Sequence, residues 1–174
     1  PAWVSDYSNR LMVDGNANTV RWMHVTPSKQ DIESCDRVGL IQAMPAGDME
    51  NDTEGRQWEQ RKEVMRDAII YNRNNPSILF YEAGNTWVSE SHMEEMRALR
   101  DQWDPHGGRA AGSRNMMGSN VAEYCLDMLY VNKSLETPLW AMEYSLDVGS
   151  GQHWGEFSAP FYHQDGAGDG EGAA

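Results

Sequence analysis

Polar residues follow several apolar segments of the chain, at the points where buried strands would end. Arg21 and His24 follow one such segment, Asn85 follows another, and Tyr130 and Glu143 end two later ones. A carboxylate accompanied by an amide, a phenol and an imidazole suits the hydrolysis of sugars: the carboxylate attacks or stabilises an oxocarbenium-like centre and the others hold hydroxyls. The pattern is not specific by itself, because any parallel barrel has a polar rim and Glu143 could equally be a solvated carboxylate.

The stretch 73–85 predicts how one of these groups is positioned. Pro76 ends the preceding helix and biases Asn75 away from helical angles. The apolar run 78–81 then predicts a buried strand of a parallel sheet. Asn85 follows where that strand emerges at its carboxyl end, which is the end where α/β barrels carry their chemistry.

Helical patterns alternate with these apolar segments. Thr26 as cap and Pro27 in the first position predict a helix that runs to about Val38, with Gly39 as its stop. Apolar residues at helical spacing predict a long helix over about 55–72. A third predicted helix has Ser91 and Glu94 as a capping box, a stripe formed by Met93, Met96, Leu99 and Trp103, and a stop at Pro105-His106-Gly107-Gly108.

The alternation of predicted strands and helices indicates a parallel α/β sheet. Six candidate strands end near His24, Met44, Ala83, Gly112, Tyr130 and Glu143. A closed (β/α)8 TIM barrel needs two more strands and typically about 250 residues. We therefore expect a barrel that is incomplete in this chain, lacking its first and last strands, over residues 1–164. The glycine-rich, acidic residues 165–174 predict a disordered tail rather than a calcium loop.

Composition narrows the classes of partner. The net charge of −13 over 174 residues argues against nucleic acid, whose phosphates would be repelled. No apolar run is long enough for a membrane span, and no signal peptide is visible, so the compartment stays open. Cys35 and Cys125 do not form a disulfide framework or a metal spacing, and we expect both to pack as small apolar groups.

Four motifs carry a resemblance to a known family. They are Arg21-Trp22-Met23-His24, Cys35-Asp36-Arg37-Val38-Gly39-Leu40, Arg73-Asn74-Asn75-Pro76-Ser77-Ile78 with Gly84-Asn85, and Met142-Glu143-Tyr144. In this order and spacing they resemble successive motifs of the family 2 glycoside hydrolases, which include β-galactosidases and β-glucuronidases. The resemblance covers residues 11–150, and four motifs in register are more specific than any one of them.

The resemblance implies a TIM-barrel catalytic domain and a mechanism that retains anomeric configuration with two glutamates. It implies that Glu143 is the nucleophile and that Asn85 holds the 2-hydroxyl of the sugar. It further implies that Tyr130 hydrogen-bonds the nucleophile, that Arg21 supports it and that His24 lines the sugar pocket. The resemblance also makes a periplasmic or extracellular location an ordinary expectation, because bacterial members of the family occur there.

One position departs from the family pattern. The family follows Gly-Asn with a glutamate that serves as general acid/base, whereas this chain has Thr86, whose hydroxyl is too weak an acid for that task. Three interpretations stay open. The acid could be relocated to Glu90 or Glu82, the substrate could need little acid help, or the protein could bind sugar without cutting it. Glu90 could equally be a charge favoured at a helix start.

The remaining expectations concern the substrate and its surroundings. Trp87 is a candidate sugar-stacking platform or a packing residue, and packing is favoured for Trp22. The loop 45–55 departs from the family, so the identity of the sugar does not carry over, although Asp48 and Glu50 could enter the pocket. We expect a carbohydrate partner, no cofactor and no metal, with other domains of a longer chain or a homo-oligomer as further partners.

Overall fold

The computed structural model describes residues 1–45, 51–128 and 137–143, without the side chains of 127, 128 and 141–143. In this part of the chain, six strands form one sheet whose spatial order follows the sequence. The strands are β1 (Thr19–Arg21), β2 (Ile41–Pro45), β3 (Ile78–Glu82), β4 (Ala110–Arg114), β5 (Cys125–Met128) and β6 (Leu139–Glu143). The helices are α1 (Ala2–Asp14), α2 (Lys29–Val38), α3 (Gly55–Asn72) and α4 (Glu90–Trp103).

The strand pairs from β1 to β5 are parallel. Arg21 at the end of β1 pairs with Ala43, and Pro45 at the end of β2 pairs with Glu82, so β1 and β3 finish near the same edge of the sheet. Parallel neighbours joined in chain order are consistent with an incomplete TIM barrel, as expected. The predicted tail, residues 165–174, lies outside the described residues.

The helix boundaries test the predicted caps. Helix α3 spans the predicted 55–72, and Gly39 ends α2 with a left-handed φ of 79°. Two predicted starts were wrong. Ser28, not Thr26, caps α2 by accepting a hydrogen bond from the Asp31 N–H, while the Thr26 hydroxyl donates to the Pro45 carbonyl. Ser89, not Ser91, caps α4. Ser91 lies within the first turn of α4, and the Met93 N–H, two residues further on, already donates to the Ser89 carbonyl.

Helix α1 was not predicted, because residues 1–18 show no clear apolar period. Its polar contacts with α2 hold it in place instead. Asn9 is buried and donates to the Cys35 Sγ at 3.5 Å, and Ser5 donates to Asp31 at 2.7 Å. One apolar side of α1 is exposed and consists of Trp3, Val4, Tyr7 and Leu11. Tertiary contacts of this kind override a weak local signal.

Methionines and aliphatic residues fill the core between the sheet and its helices. The predicted α4 stripe is confirmed at Met93 and Met96, which are fully buried. Their neighbours include Ile32, Met44, Met65, Ile69 and Val88. The two cysteines are buried free thiols, as expected, and burial raises the pKa of Cys35 to about 12, so it stays protonated. No helix of the described residues combines the length and apolarity that a membrane crossing requires.

A polar network ties the amino-terminal ends of β2 and β3 to α2. The Asp36 carboxylate accepts hydrogen bonds from the Ser77 N–H at 3.0 Å, from the Ser77 hydroxyl and from the Asn75 amide. Gln42 donates to the same Ser77 hydroxyl oxygen at 2.7 Å, and it also accepts the Trp22 indole N–H at 2.8 Å. Trp22 is therefore anchored within the fold by a polar contact, in keeping with the packing role favoured for it.

Candidate active site

Three predicted residues meet at the carboxyl ends of β1 and β3. The Arg21 guanidinium binds both carboxylate oxygens of Glu82, with Nε to Oε2 at 2.8 Å, and Nη2 also donates to Asn85 Oδ1 at 2.8 Å. All three side chains are nearly inaccessible, with 4 % of Arg21 and 1 % of the Glu82 side chain exposed. Asn85 reaches this position because the chain turns just after β3. Arg21 and Asn85, both expected at the ends of strands, therefore contact each other in the structure.

The bidentate geometry has a chemical consequence for Glu82. A guanidinium that binds both carboxylate oxygens stabilises the charged form of each group. Tyr124 lies beside this pair as a neutral neighbour, because burial and the charge of Glu82 raise its pKa well above the ordinary range. Its hydroxyl donates to the Tyr81 carbonyl at 2.8 Å. The surroundings therefore favour Glu82 as a fixed anion that orients Arg21.

The positions after Asn85 lead outward from this contact. Thr86 is half-buried, and its hydroxyl lies 3.5 Å from Asn51 Oδ1. Trp87 is 52 % exposed, which leaves its ring accessible to a ligand. Glu90 lies in the first turn of α4, where the helix dipole favours a negative charge, and its carboxylate accepts the Asn120 N–H at 3.1 Å.

The other predicted site residues are described less fully. His24 is half-buried and lies three residues beyond the end of β1, after a cis peptide bond that joins it to Met23. Glu143 is the last residue of β6, as predicted from the sequence, but its side chain is not among those described. Tyr130 lies outside the described residues, and so do Asp48 and Glu50.

Sequence reasoning missed a second polar contact at the rim. Asp52, in the loop before α3, accepts a hydrogen bond from His92 Nδ1 at 2.6 Å and another from the Ser89 N–H at 3.0 Å. The His92 ring stacks on Trp58, with centroids 3.8 Å apart. Burial raises the pKa of Asp52, but the bonds from His92 and Ser89 outweigh it and leave the pKa below its ordinary value. No local motif links residues 40 positions apart, so the sequence offered no signal for this pair.

The residues described do not offer a metal site, since no cluster of three His, Cys, Asp or Glu side chains is arranged to hold an ion. The rim brings a buried cation, Arg21, into contact with a buried amide, Asn85, and the accessible indole of Trp87 follows Asn85 two positions later in the chain. Such groups can orient a polar, ring-shaped ligand through hydrogen bonds and stacking.

Comparison with known proteins decides the family. Over 144 residues the chain is 33 % identical to a β-glucuronidase of Formosa agariphila, a match that covers 83 % of this chain. It also matches the solved structure of a family 2 β-glucuronidase with a TM-score of 0.78 and 26 % identity over 96 % of this chain. The chain belongs to the family 2 glycoside hydrolases.

The glycoside hydrolase fold extends to more distant structures. A family 2 β-galacturonidase of Eisenbergiella tayi, solved with galacturonate, matches with a TM-score of 0.70 over 83 % of this chain, at 17 % identity. No family model matches the sequence. The chain spans 14 % of the length of the Formosa relative, 18 % of the first solved structure and 32 % of the Eisenbergiella one. The chain therefore corresponds to a part of each of these larger proteins.

Proposed function

We propose that this glycoside hydrolase chain contributes the active site of an enzyme that cleaves β-linked glycosides with retention of configuration. The contact of Arg21 with Glu82 and Asn85 carries the proposal, because it brings the two family motifs of β1 and β3 together at the carboxyl edge of the sheet. A buried amide fixed in this way is suited to a sugar hydroxyl, and Asn85 is the residue assigned to the 2-hydroxyl.

In the proposed reaction, Glu143 attacks the anomeric carbon as the bond to the leaving oxygen breaks. This gives a covalent glycosyl-enzyme, which water then cleaves to release the sugar and free Glu143. Arg21 and Tyr130 tune the nucleophile, His24 lines the pocket and Trp87 offers a stacking face. A β-glucuronide is the substrate that we favour, because the Formosa relative and the family 2 structure are both β-glucuronidases.

Thr86 leaves the proton donor to be assigned among other residues. Glu82 is bound at both oxygens by Arg21, which favours its charged form and an orienting role. Glu90 is half-buried and accepts a single backbone hydrogen bond from Asn120 at 3.1 Å among the contacts described. We therefore propose Glu90 ahead of Glu82 as the donor, at ~5–5.5 Å from Glu143, the separation of a retaining pair.

Labelling with an activated 2-deoxy-2-fluoro-β-glucuronide tests the nucleophile. We expect the mass of the chain to rise by one glycosyl unit, mapped to Glu143, and no labelling of Glu143→Gln. The same measurement with a galacturonide and a galactoside that carry the same leaving group tests which sugar the enzyme prefers. Turnover without any labelled Glu143, or labelling elsewhere, would refute the assignment.

A second experiment addresses the acid. For Glu90→Ala, we expect a large loss of kcat/KM on substrates with poor leaving groups and little loss of kcat/KM on a dinitrophenyl glycoside. Added azide should restore turnover. Glu94→Ala, on the same helix, is the matched control. The second candidate function is sugar binding without hydrolysis, which Thr86 favours by replacing the usual acid. Saturable binding by calorimetry with neither labelling nor turnover would establish it.

A further inference from the structure

We propose that Asp52 and His92 form a clamp that positions the β3–α4 loop, residues 83–89, and through it the Asn85 amide. The inference rests on the proposed function, because it assigns positioning residues to the same sugar site. Neither residue belongs to a family motif quoted above. Their contact joins the loop before α3 to the first turn of α4, across the segment that carries Asn85.

The β3–α4 loop is held at both of its ends. Near its start, the buried Ser113 hydroxyl lies 2.7 Å from the carbonyl oxygens of both Gly84 and Thr86. At its end, the Ser89 N–H donates to Asp52 Oδ2 at 3.0 Å. Asn85 lies at the first anchor, between Gly84 and Thr86, and Ser89 at the second anchor follows four positions later, so we infer that a shift at either anchor moves the Asn85 amide.

His92 fixes the Asp52 carboxylate that forms the second anchor. Its Nδ1 lies 2.6 Å from Asp52 Oδ1, and 16 % of the His92 side chain and 21 % of the Asp52 side chain are exposed. The stack on Trp58 holds the imidazole from the α3 side, and the Trp58 indole N–H donates to Glu95 at 3.1 Å. The charged groups around the ring are thus Asp52, Glu95 and, bound to Glu95 at 2.6 Å, Lys62.

Arg61 connects the clamp to the other side of the rim. It is 96 % buried, lies over the Trp58 ring, and donates to the Asn51 carbonyl at 2.8 Å. Asn51 is also the residue near the Thr86 hydroxyl. The loop before α3 therefore contacts the β3–α4 loop at Thr86 and Ser89, on both sides of Trp87, which makes it a support for the whole segment.

Two substrates that differ only in the 2-hydroxyl show whether His92 positions the Asn85 amide or only stabilises the fold. His92→Phe keeps an aromatic ring for the Trp58 stack and removes the bond to Asp52. We expect kcat/KM to fall about tenfold or more for a β-glycoside with a 2-hydroxyl, and less than about twofold for its 2-deoxy analogue, since only the former uses Asn85. Asp52→Asn keeps an acceptor oxygen and should recover most of the loss seen with Asp52→Ala.

His106→Phe is the matched control, because His106 is an exposed histidine in the turn after α4. An equal loss on both substrates would overturn the proposal by showing a general structural role. No loss on either would overturn it as well.

Amide hydrogen exchange gives a result that does not depend on turnover. In His92→Phe we expect the Ser89 amide to exchange about tenfold faster, with no change in His106→Phe. Unchanged exchange at Ser89 would refute the clamp. If the unaltered chain neither labels nor turns over, the proposed function fails, while the exchange result still decides whether the clamp exists.

Discussion

Polar networks hold the sheet at both of its ends, but only the network at the carboxyl ends lies beside side chains that a ligand can reach. At the amino-terminal ends, the Asp36 carboxylate is saturated by Asn75 and by the backbone and hydroxyl of Ser77. At the carboxyl ends, Arg21 fixes Glu82 and Asn85 beside a loop whose Trp87 is half exposed. The first network joins elements of the fold, while the second also presents groups outward.

This difference explains how motifs of one family divide their tasks. Asp36, Asn75 and Ser77 belong to two of the motifs that carry the family resemblance, and the contacts of Asp36 join α2 to the start of β3. Arg21 and Asn85 belong to motifs at the other end of the strands. The motif residues for which we propose a function are thus those at the carboxyl ends, where α/β barrels carry their chemistry.

The largest expected effect comes from breaking the rim pair. Glu82→Leu removes the buried carboxylate that binds Arg21 and should lower the free energy of unfolding by about 3–5 kcal/mol, the typical cost of breaking a buried ion pair. Arg21→Met combined with Glu82→Leu should restore most of that stability without restoring sugar binding. Denaturant unfolding and calorimetry measure the two quantities. A double variant as unstable as Glu82→Leu would contradict the pairing.

At the opposite end, Asp36→Ala removes a charged acceptor from Ser77 and Asn75. We expect a loss of about 2–3 kcal/mol in unfolding free energy, because three donor groups on these two residues lose their partner. Turnover per folded molecule should stay the same, since the contacts described for Asp36 do not involve Arg21, Glu82 or Asn85. Asp67→Ala is the control: Asp67 is 66 % exposed and should change stability by about 0.5 kcal/mol or less. A loss of turnover per folded molecule in Asp36→Ala would contradict the distinction between the two ends of the sheet.

Gly112 tests how tightly the rim is packed, since it pairs with Glu82 across β3 and β4. A Cβ added there would lie 2.4 Å from the Tyr124 carbonyl oxygen, which is backbone and cannot rotate away. Gly112→Ala should therefore cost about 1–3 kcal/mol in unfolding free energy. The matched Gly118→Ala meets open space and should be nearly neutral by the same denaturant measurement. Equal stability of both variants would contradict the described packing.

The smallest effect is a pH dependence at Glu123. Burial raises its pKa, but hydrogen bonds from Arg100 and the Ala111 N–H outweigh burial and leave the pKa below its ordinary value. A lowered pKa in the folded state contributes stability above the unfolded value, about 4.3, and loses it as the pH falls through the folded value. The stability difference between the unaltered chain and Glu123→Gln should thus shrink below about pH 4. Denaturant unfolding at pH 7 and pH 3 measures it, and a difference that grows in acid would contradict the pairing.

The sequence predicted the sheet better than the contacts at its edge. Turn residues such as Pro76 and short apolar runs locate the six strands, because burial and backbone restriction act locally. Asn85 and Arg21 could be placed at one rim by strand direction alone. Helix α1 was not predicted, because it is held by a tertiary contact, from Asn9 to Cys35, rather than by a local pattern. The pairing of Arg21 with Glu82 was not predicted, because strand direction shows at which edge of the sheet a residue lies but not which side chain it contacts.

The stacking of His92 on Trp58 also gives the rim an optical readout. The emission of an indole depends on the groups in contact with its ring, and the centroid of the His92 ring lies 3.8 Å from that of Trp58. The emission of Trp58 should therefore change when His92 leaves the stack. Measured as the difference between the unaltered chain and Trp58→Phe, because the chain holds seven tryptophans, this emission would signal in the absence of any sugar whether the loop above it is locked.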